Sequence, residues 1–248
     1  YEISARVQIP VDVLTPGRTL VSGRLLADIT KSLPAAPVVL KVDSNRAAIE
    51  CGRSTFTLPT LPVEDYPSLP EMPDTAGNVD SEVFAQAVSQ VAIAAGKDDT
   101  LPVLTGIRME IDGGNVTLAA TDRYRLAVRT FPWTPKKTSI ELNTLIPAKI
   151  LADTAKNMSG SNTVDFAIAP DGEKLVGFES EGMRTTTRLL DGEFPKYRSL
   201  LPNESATRAV GDTQELLNAV KRVALVAERN TPIRMTFEGS ELLLRAGT

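Results

Sequence analysis

Side chains suited to acid–base or nucleophilic chemistry are few in this sequence. It contains no histidine and a single cysteine, Cys51, which argues against Ser-His-Asp triads, Cys-His pairs and histidine-ligated zinc. One cysteine cannot form a disulfide within the chain. A carboxylate-only, metal-dependent hydrolase remains as an alternative, with Glu110, Asp112 and Asp122 as its candidate residues. Glu110 and Asp112, however, flank a Gly-Gly turn, where acidic residues are common without any catalytic role.

Basic side chains form the second group of candidates. The net charge is −4, whereas a protein that binds DNA tightly through many phosphates is usually basic. Lys149 and Lys156 lie seven positions apart and therefore share one helix face. A solvated helix face would explain such residues as well as a DNA contact does. The cations on or near predicted helices are Arg24, Lys31, Lys97, Lys149, Lys156, Lys221, Arg222 and Arg229.

The elements that position these residues follow from hydrophobic periodicity. Apolar residues at helical spacing predict four amphipathic helices, and alternating segments between them predict strands joined by short turns. Short turns require antiparallel pairing, so the predicted fold class is α+β with antiparallel sheets. The predicted helices are Arg24–Leu33, Ser81–Ala95, Pro147–Met158 and Thr213–Ala227, and the strands include Val38–Val42, Val116–Ala120, Leu126–Thr130 and Thr163–Ala169. The Asp-Gly-Glu-Lys segment at 171–174 is predicted to be a turn.

An internal repeat sets the domain organisation. Residues 105–109 (TGIRM) match residues 231–235 (TPIRM) at an offset of 126, and three further pairings occur in the same order at offsets of 125, 128 and 132. The repeat predicts tandem domains of about 130 residues, each built from two similar helix-plus-sheet halves. The expected limits are 1–76 for the C-terminal part of one domain, 77–206 for a complete domain and 207–248 for the N-terminal part of a third. We therefore expect a chain truncated at both ends.

Three local motifs resemble a known family. Residues 120–128 (ATDRYRLAV) are similar to ATD-x-x-RLA, residues 189–197 (LLDGEFPKY) to LVDG-x-FPxY, and residues 51–58 (CGRSTFTL) to SGRS-x-FxL. In this order they resemble the bacterial DNA polymerase III β subunit, the β sliding clamp, in an actinobacterial-like form. The resemblance covers essentially the whole chain.

The resemblance implies a DNA-clamp fold and, in the full-length homodimer, a pseudo-six-fold ring with helices around the hole and sheets outside. It implies a cytoplasmic, non-catalytic processivity factor without a cofactor or a membrane segment. The implied partners are duplex DNA, held topologically and without sequence preference, the DNA polymerase III α subunit, the clamp-loader δ subunit and other clamp-motif proteins. A ring held on DNA by linkage needs few phosphate contacts, which reconciles this function with the acidic composition. The alternative is a non-replicative scaffold built from the same domains.

The resemblance also assigns residues to three surfaces. A hydrophobic pocket for a peptide of the form Gln-Leu-x-Leu-Phe is expected at Leu104, Thr121, Arg123, Tyr124, Arg125, Leu126, Pro195 and Leu200. Arg123 stands where the family often has a small residue. The DNA-facing residues are expected to be Arg24, Lys97, Lys149, Lys156 and Arg222, and the dimer interface is expected at Arg53, Thr55, Leu58, Leu225 and Val226.

Overall fold

The computed structural model describes residues 3–137, 140–169, 174–202, 204–228 and 231–247. Its helices are α1 (Gly23–Ser32), α2 (Ser81–Ala92), α3 (Ala148–Met158) and α4 (Thr213–Ala224). Side chains of Ser22, Asp80 and Asp212 accept hydrogen bonds from the first-turn amides of α1, α2 and α4, which explains where these helices begin. Two helices, α2 and α4, end three residues earlier than the sequence predicted, because the chain there closes into tighter three-residue turns.

The strands all pair in antiparallel fashion, as the short turns predicted. A six-stranded sheet has the order β1-β13-β12-β11-β5-β9, a four-stranded sheet β10-β6-β7-β8, a three-stranded sheet β2-β3-β4, and a hairpin β14-β15. Strand β1 thus joins the sheet of the middle part of the chain. The strands are β1 Ile3–Val7, β2 Val38–Asp43, β3 Arg46–Cys51, β4 Ser54–Pro59, β5 Thr75–Asp80, β6 Gly106–Asp112, β7 Asn115–Thr121, β8 Leu126–Pro132, β9 Thr134–Pro135, β10 Glu141–Pro147, β11 Thr163–Ile168, β12 Leu175–Ser180, β13 Met183–Arg188, β14 Ile233–Glu238 and β15 Glu241–Ala246. The turn predicted at 171–174 falls largely outside the described residues.

The main core lies where helices α2 and α3 pack side by side over the four- and six-stranded sheets. Phe84 of α2 meets the rings of Phe166 and Phe178 at centroid distances of 5.1 and 5.6 Å. Trp133 stacks on Phe166 at 5.9 Å and donates its indole N–H to the Gly113 carbonyl. A smaller core forms under β2-β3-β4. These contacts fix the helix pair relative to the strands that carry the candidate site.

The chain forms two compact units, residues 1–195 and 196–248. The second unit holds a short 3-10 segment (Tyr197–Leu200), α4 and the β14–β15 hairpin. This hairpin has the same form as β6–β7, and each turn contains a glycine in the left-handed region, Gly113 with φ 53° and Gly239 with φ 58°. The 126-residue repeat in the sequence therefore corresponds to a repeated structural unit. Among the described residues, the helices are all too short or too polar to cross a membrane.

Candidate functional site

The turn between β7 and β8 brings together five of the residues predicted for the peptide pocket. The Thr121 hydroxyl donates to the Arg125 carbonyl at 2.7 Å and accepts from the Arg123 amide at 3.2 Å. The Asp122 carboxylate accepts from the amides of Tyr124 and Arg125, each at 3.1 Å. Hydrogen bonds between these side chains and nearby backbone groups restrict the conformations that the turn can adopt. This surface, residues 121–126, is called the β7–β8 turn below.

Arg125 is a largely exposed residue of this turn. It lies just before β8, and its side chain is 52% exposed. Its Nε lies 3.0 Å from an Asp122 oxygen. The pKa of Asp122 lies below its usual value: burial raises it, but hydrogen bonds from the Tyr124 and Arg125 amides and the Arg125 guanidinium outweigh that effect. Asp122 therefore stays ionised near neutral pH, and its carboxylate accepts the hydrogen bonds that stabilise the turn.

Exposure differs strongly among the residues of the β7–β8 turn. Thr121 is buried and pairs in register with Leu126, which is half-buried at the start of β8. Tyr124 is 90% exposed, and Arg123 is exposed beside it. A half-buried leucine next to an exposed aromatic is a surface to which an apolar side chain can bind.

Leu104 occupies a second segment, the 3-10 turn Pro102–Thr105 that precedes β6. It is half-buried, and its carbonyl accepts from the Gly96 amide at 2.7 Å. The segment that leads to Pro195 reaches the same turn through Gly192, whose φ is 123°. A Cβ at Gly192 would lie 2.4 Å from Val103 Cγ2, so only glycine permits this approach.

This contact between Gly192 and Val103 was not predicted from the sequence. The Asp-Gly pair at 191–192 indicated a turn, but not that the turn packs against a segment about ninety residues earlier. Pro195 follows this contact and is exposed. Leu200 belongs to the second unit, where it is 72% exposed.

The described residues also line two cavities. One, of about 390 Å³, lies between strands β6 and β10 and the segment 189–194, with Arg108 and Phe194 among its lining residues. The other, of about 710 Å³, is a groove between α2 and α3 that includes Glu82, Asp153 and Lys156. Neither of these two cavities is lined by the residues predicted for the peptide pocket.

All the cations predicted to face DNA are exposed where the structure describes them. On α3, Lys149, Asp153 and Lys156 lie on the exposed side, whereas Leu151 and Met158 are buried. Helix α2 carries no lysine or arginine, so Lys156 faces the groove from α3 alone. Exposed cations are found at Arg24, Lys31, Lys97, Lys149, Lys156, Lys221 and Arg222; Arg229 lies outside the described residues.

The residues predicted for a dimer interface divide into two groups. Arg53 lies just before β4, an edge strand of its sheet, and Thr55 is the second residue of that strand; both are exposed. Leu225 and Val226, which follow α4, are 85% and 79% exposed. Leu58 corrects the prediction, because it is only 1% exposed and packs with Ile29 and Ile49 in the smaller core. Its side chain stabilises β4 and is not available to a partner surface.

Two of the three carboxylates considered for catalysis, Glu110 and Asp122, have other contacts. Glu110 Oε1 lies 2.6 Å from Arg108 Nε on the same strand, and Asp122 holds the β7–β8 turn. In the part of the chain that the structure describes, no group of three or more acidic or cysteine side chains is placed to hold a metal ion.

Comparison with known proteins defines the class first. Family models of the DNA polymerase III beta subunit match in tandem: the N-terminal domain at residues 1–70, the central domain at 78–196 and the C-terminal domain at 198–248. The beta sliding clamp of Streptomyces coelicolor is 56% identical over all of this chain, and that of Micrococcus luteus is 50% identical over all of it. This chain belongs to the beta sliding clamp family.

The match covers a part of each relative. The chain spans 66% of the length of the Streptomyces coelicolor protein and 80% of that of Micrococcus luteus. A crystal structure of the Pseudomonas aeruginosa sliding clamp bound to griselimycin is similar over 99% of this chain and 67% of that one, with a TM-score of 0.84 and 26% identity. The α+β clamp fold predicted from the sequence is therefore confirmed.

Proposed function

We propose that this chain is part of a processivity factor, a sliding clamp that encircles duplex DNA and tethers the replicative polymerase to it. The observation that supports this most strongly is the match of all three clamp domain models in order along the chain. The proposal includes domain limits at 76/77 and 206/207. It also includes a cytoplasmic homodimer that closes a ring of six similar domains and performs no catalysis.

The proposed docking site is a peptide pocket at Leu104, the β7–β8 turn and Pro195 of the first unit. Leu200, which belongs to the second unit, stays a predicted member of this site. Half-buried leucines at 104 and 126 offer apolar contact, and the hydrogen-bonded turn keeps Leu126 in place before a peptide arrives. The partners proposed for it are the DNA polymerase III α subunit, the clamp-loader δ subunit and other proteins with a clamp-binding motif. The related clamp solved with griselimycin supports a ligand site on this fold.

Contacts with DNA are proposed to be few and electrostatic. The exposed lysines of α3 offer charge without any groove-reading element, which suits a protein that must slide. Asp153 lies between them on the same helix face, so the net charge of this face stays low. Low charge keeps each DNA contact weak, and topological linkage then retains the ring.

The test is retention on DNA of a form extended to the length of the relatives. After loading onto a nicked circular plasmid, the protein should elute with the DNA at moderate salt, and cutting the plasmid once should release it. A scaffold built from the same domains would elute free of circular DNA, and a protein held by affinity alone would stay bound after linearisation. Either result would contradict the proposal.

A further inference from the structure

Arg123 has an unusual backbone conformation for a residue with a side chain. Its φ is 79°, in the left-handed region that favours glycine. Among the described residues only Glu181 shares this property outside glycine, and Glu181 sits in the two-residue hairpin turn between β12 and β13, where positive φ is required. Residue 123 lies in a longer turn, so the reason for an arginine there must be sought in its side chain.

The bonds that shape the β7–β8 turn do not involve the Arg123 side chain. Its amide donates to the Thr121 hydroxyl, and the remaining turn bonds run between Thr121, Asp122, Tyr124 and Arg125. Glycine would make the same amide bond without conformational strain. A strained residue held by its surroundings is often found at a functional site.

The charge of Arg123 is less compensated than that of Arg125. The guanidinium of Arg125 lies 3.0 Å from the carboxylate of Asp122 and forms an ion pair with it. The carboxylate of Asp98 accepts from the hydroxyl and amide of Thr100 at 2.6 and 3.0 Å, and these bonds, more than the nearby charge of Arg123, hold the pKa of Asp98 below its usual value. Within the described ranges, no carboxylate oxygen lies within ion-pair distance of the Arg123 guanidinium.

We propose that Arg123 is a specificity-determining residue of the peptide pocket, and that its guanidinium binds a carboxylate which docking peptides carry beside their apolar anchors. The proposal rests on the proposed function. Arg123 is one residue from the exposed ring of Tyr124 and three from Leu126, so a peptide that places a leucine against Leu126 brings its neighbouring residues within reach of this cation. Guanidinium groups favour carboxylates because both groups are planar and can form two parallel hydrogen bonds.

The test uses peptides in carboxylate and amide pairs. Labelled Gln-Leu-Ser-Leu-Phe is varied by placing Asp or Asn at the central position, and Glu or Gln immediately before or after the motif. Fluorescence anisotropy then gives the affinity ratio for each pair, measured on this chain and on a form extended through the third clamp domain. For an exposed ion pair we expect a ratio of about two to five at one position at least.

Arg123→Gln should bring that ratio to about one, and Arg123→Lys should retain part of it. Arg129→Gln is the matched control, because Arg129 is an exposed cation on β8 outside the turn; it should leave the ratio unchanged. The ratio should also fall as salt is raised.

The outcomes separate the two proposals. Binding that Leu126→Arg abolishes, with equal affinities in every pair or with a ratio unaltered by Arg123→Gln, would overturn the role of Arg123 and leave the pocket intact. If Arg123→Gln leaves the carboxylate-to-amide affinity ratio unchanged and weakens duplex DNA binding, Arg123 is a DNA contact and the inference is overturned. Absence of any peptide binding in the extended form would overturn the pocket and, with it, the inference.

Discussion

Phe84 offers the sharpest test of how helix α2 is held against the sheets. It is fully buried, and its ring meets Phe166 edge-on at 5.1 Å and Phe178 in a stacked arrangement at 5.6 Å. Phe84→Ala removes the ring and leaves a cavity that the rigid rings around it cannot fill. Phe84→Leu keeps most of the apolar volume and is the matched control.

The expected cost follows from this packing. Truncating a buried phenylalanine to alanine lowers the free energy of unfolding by about 3–5 kcal/mol, and removal of two aromatic pairings favours the upper half of that range. We therefore expect a loss of about 4 kcal/mol for Phe84→Ala. For Phe84→Leu we expect about 1 kcal/mol, as for other swaps that nearly conserve volume.

Urea unfolding monitored by tryptophan fluorescence measures both values. Trp133 is the sole tryptophan of the chain and stacks on Phe166, so its signal reports on the same core. With a urea dependence of roughly 1–3 kcal/mol per molar, the midpoint should fall by roughly 1–4 M for the alanine variant. A destabilisation below about 1.5 kcal/mol, or equal destabilisation by the two variants, would refute this account of the core.

Three further predictions concern Gly77, Asp122 and the two lysines of α3. Gly77→Ala should lower the free energy of unfolding by about 1–3 kcal/mol in the same urea assay, because the new Cβ would lie 2.4 Å from the Thr134 carbonyl; an unchanged midpoint would contradict this. The lowered pKa of Asp122 means that its ionised form stabilises the folded turn above its unfolded pKa, and that this stability is lost as pH falls through the lower folded value. The protection of the turn's amides against hydrogen exchange, relative to the unfolded chain, should therefore fall below about pH 4 in the wild type, whereas Asp122→Asn should show no such pH-dependent fall. Replacing Lys149 and Lys156 by glutamine should reduce the slope of duplex DNA affinity against salt, on logarithmic axes, by about 0.9 for each phosphate that the lysines neutralise, and an unaltered slope would exclude both lysines from the DNA surface.

Local patterns predicted most of the architecture. The helical stripe predicted α2 and its first residue, Ser81, because such a stripe depends on residues within a few positions of each other, but the helix ends three residues earlier than predicted. The repeat matched residues 105–109 with residues 231–235, and these segments lead into corresponding strands, β6 and β14, of two similar hairpins. Elements defined by short-range patterns were therefore available without a structure.

Features that depend on contacts between distant segments, or on which face of a strand packs against the core, were not predicted. Leu58 is buried because its side of β4 faces the smaller core, and the sequence alone did not establish which side that is. Gly192 and Val103 meet because two distant segments cross. Arg125 is exposed because its bonds to Asp122 hold it in the turn that leads into β8 at Leu126.

The most direct measurement of the central claim is anisotropy of labelled Gln-Leu-Ser-Leu-Phe with the wild type and with Leu126→Arg. It should be made with this chain and with a form extended through the third clamp domain. The account predicts saturable binding to the extended form at least, and its loss when a charged side chain replaces the half-buried leucine. Undiminished binding by the variant, or none by the extended wild type, would contradict the docking site on which the proposed function depends.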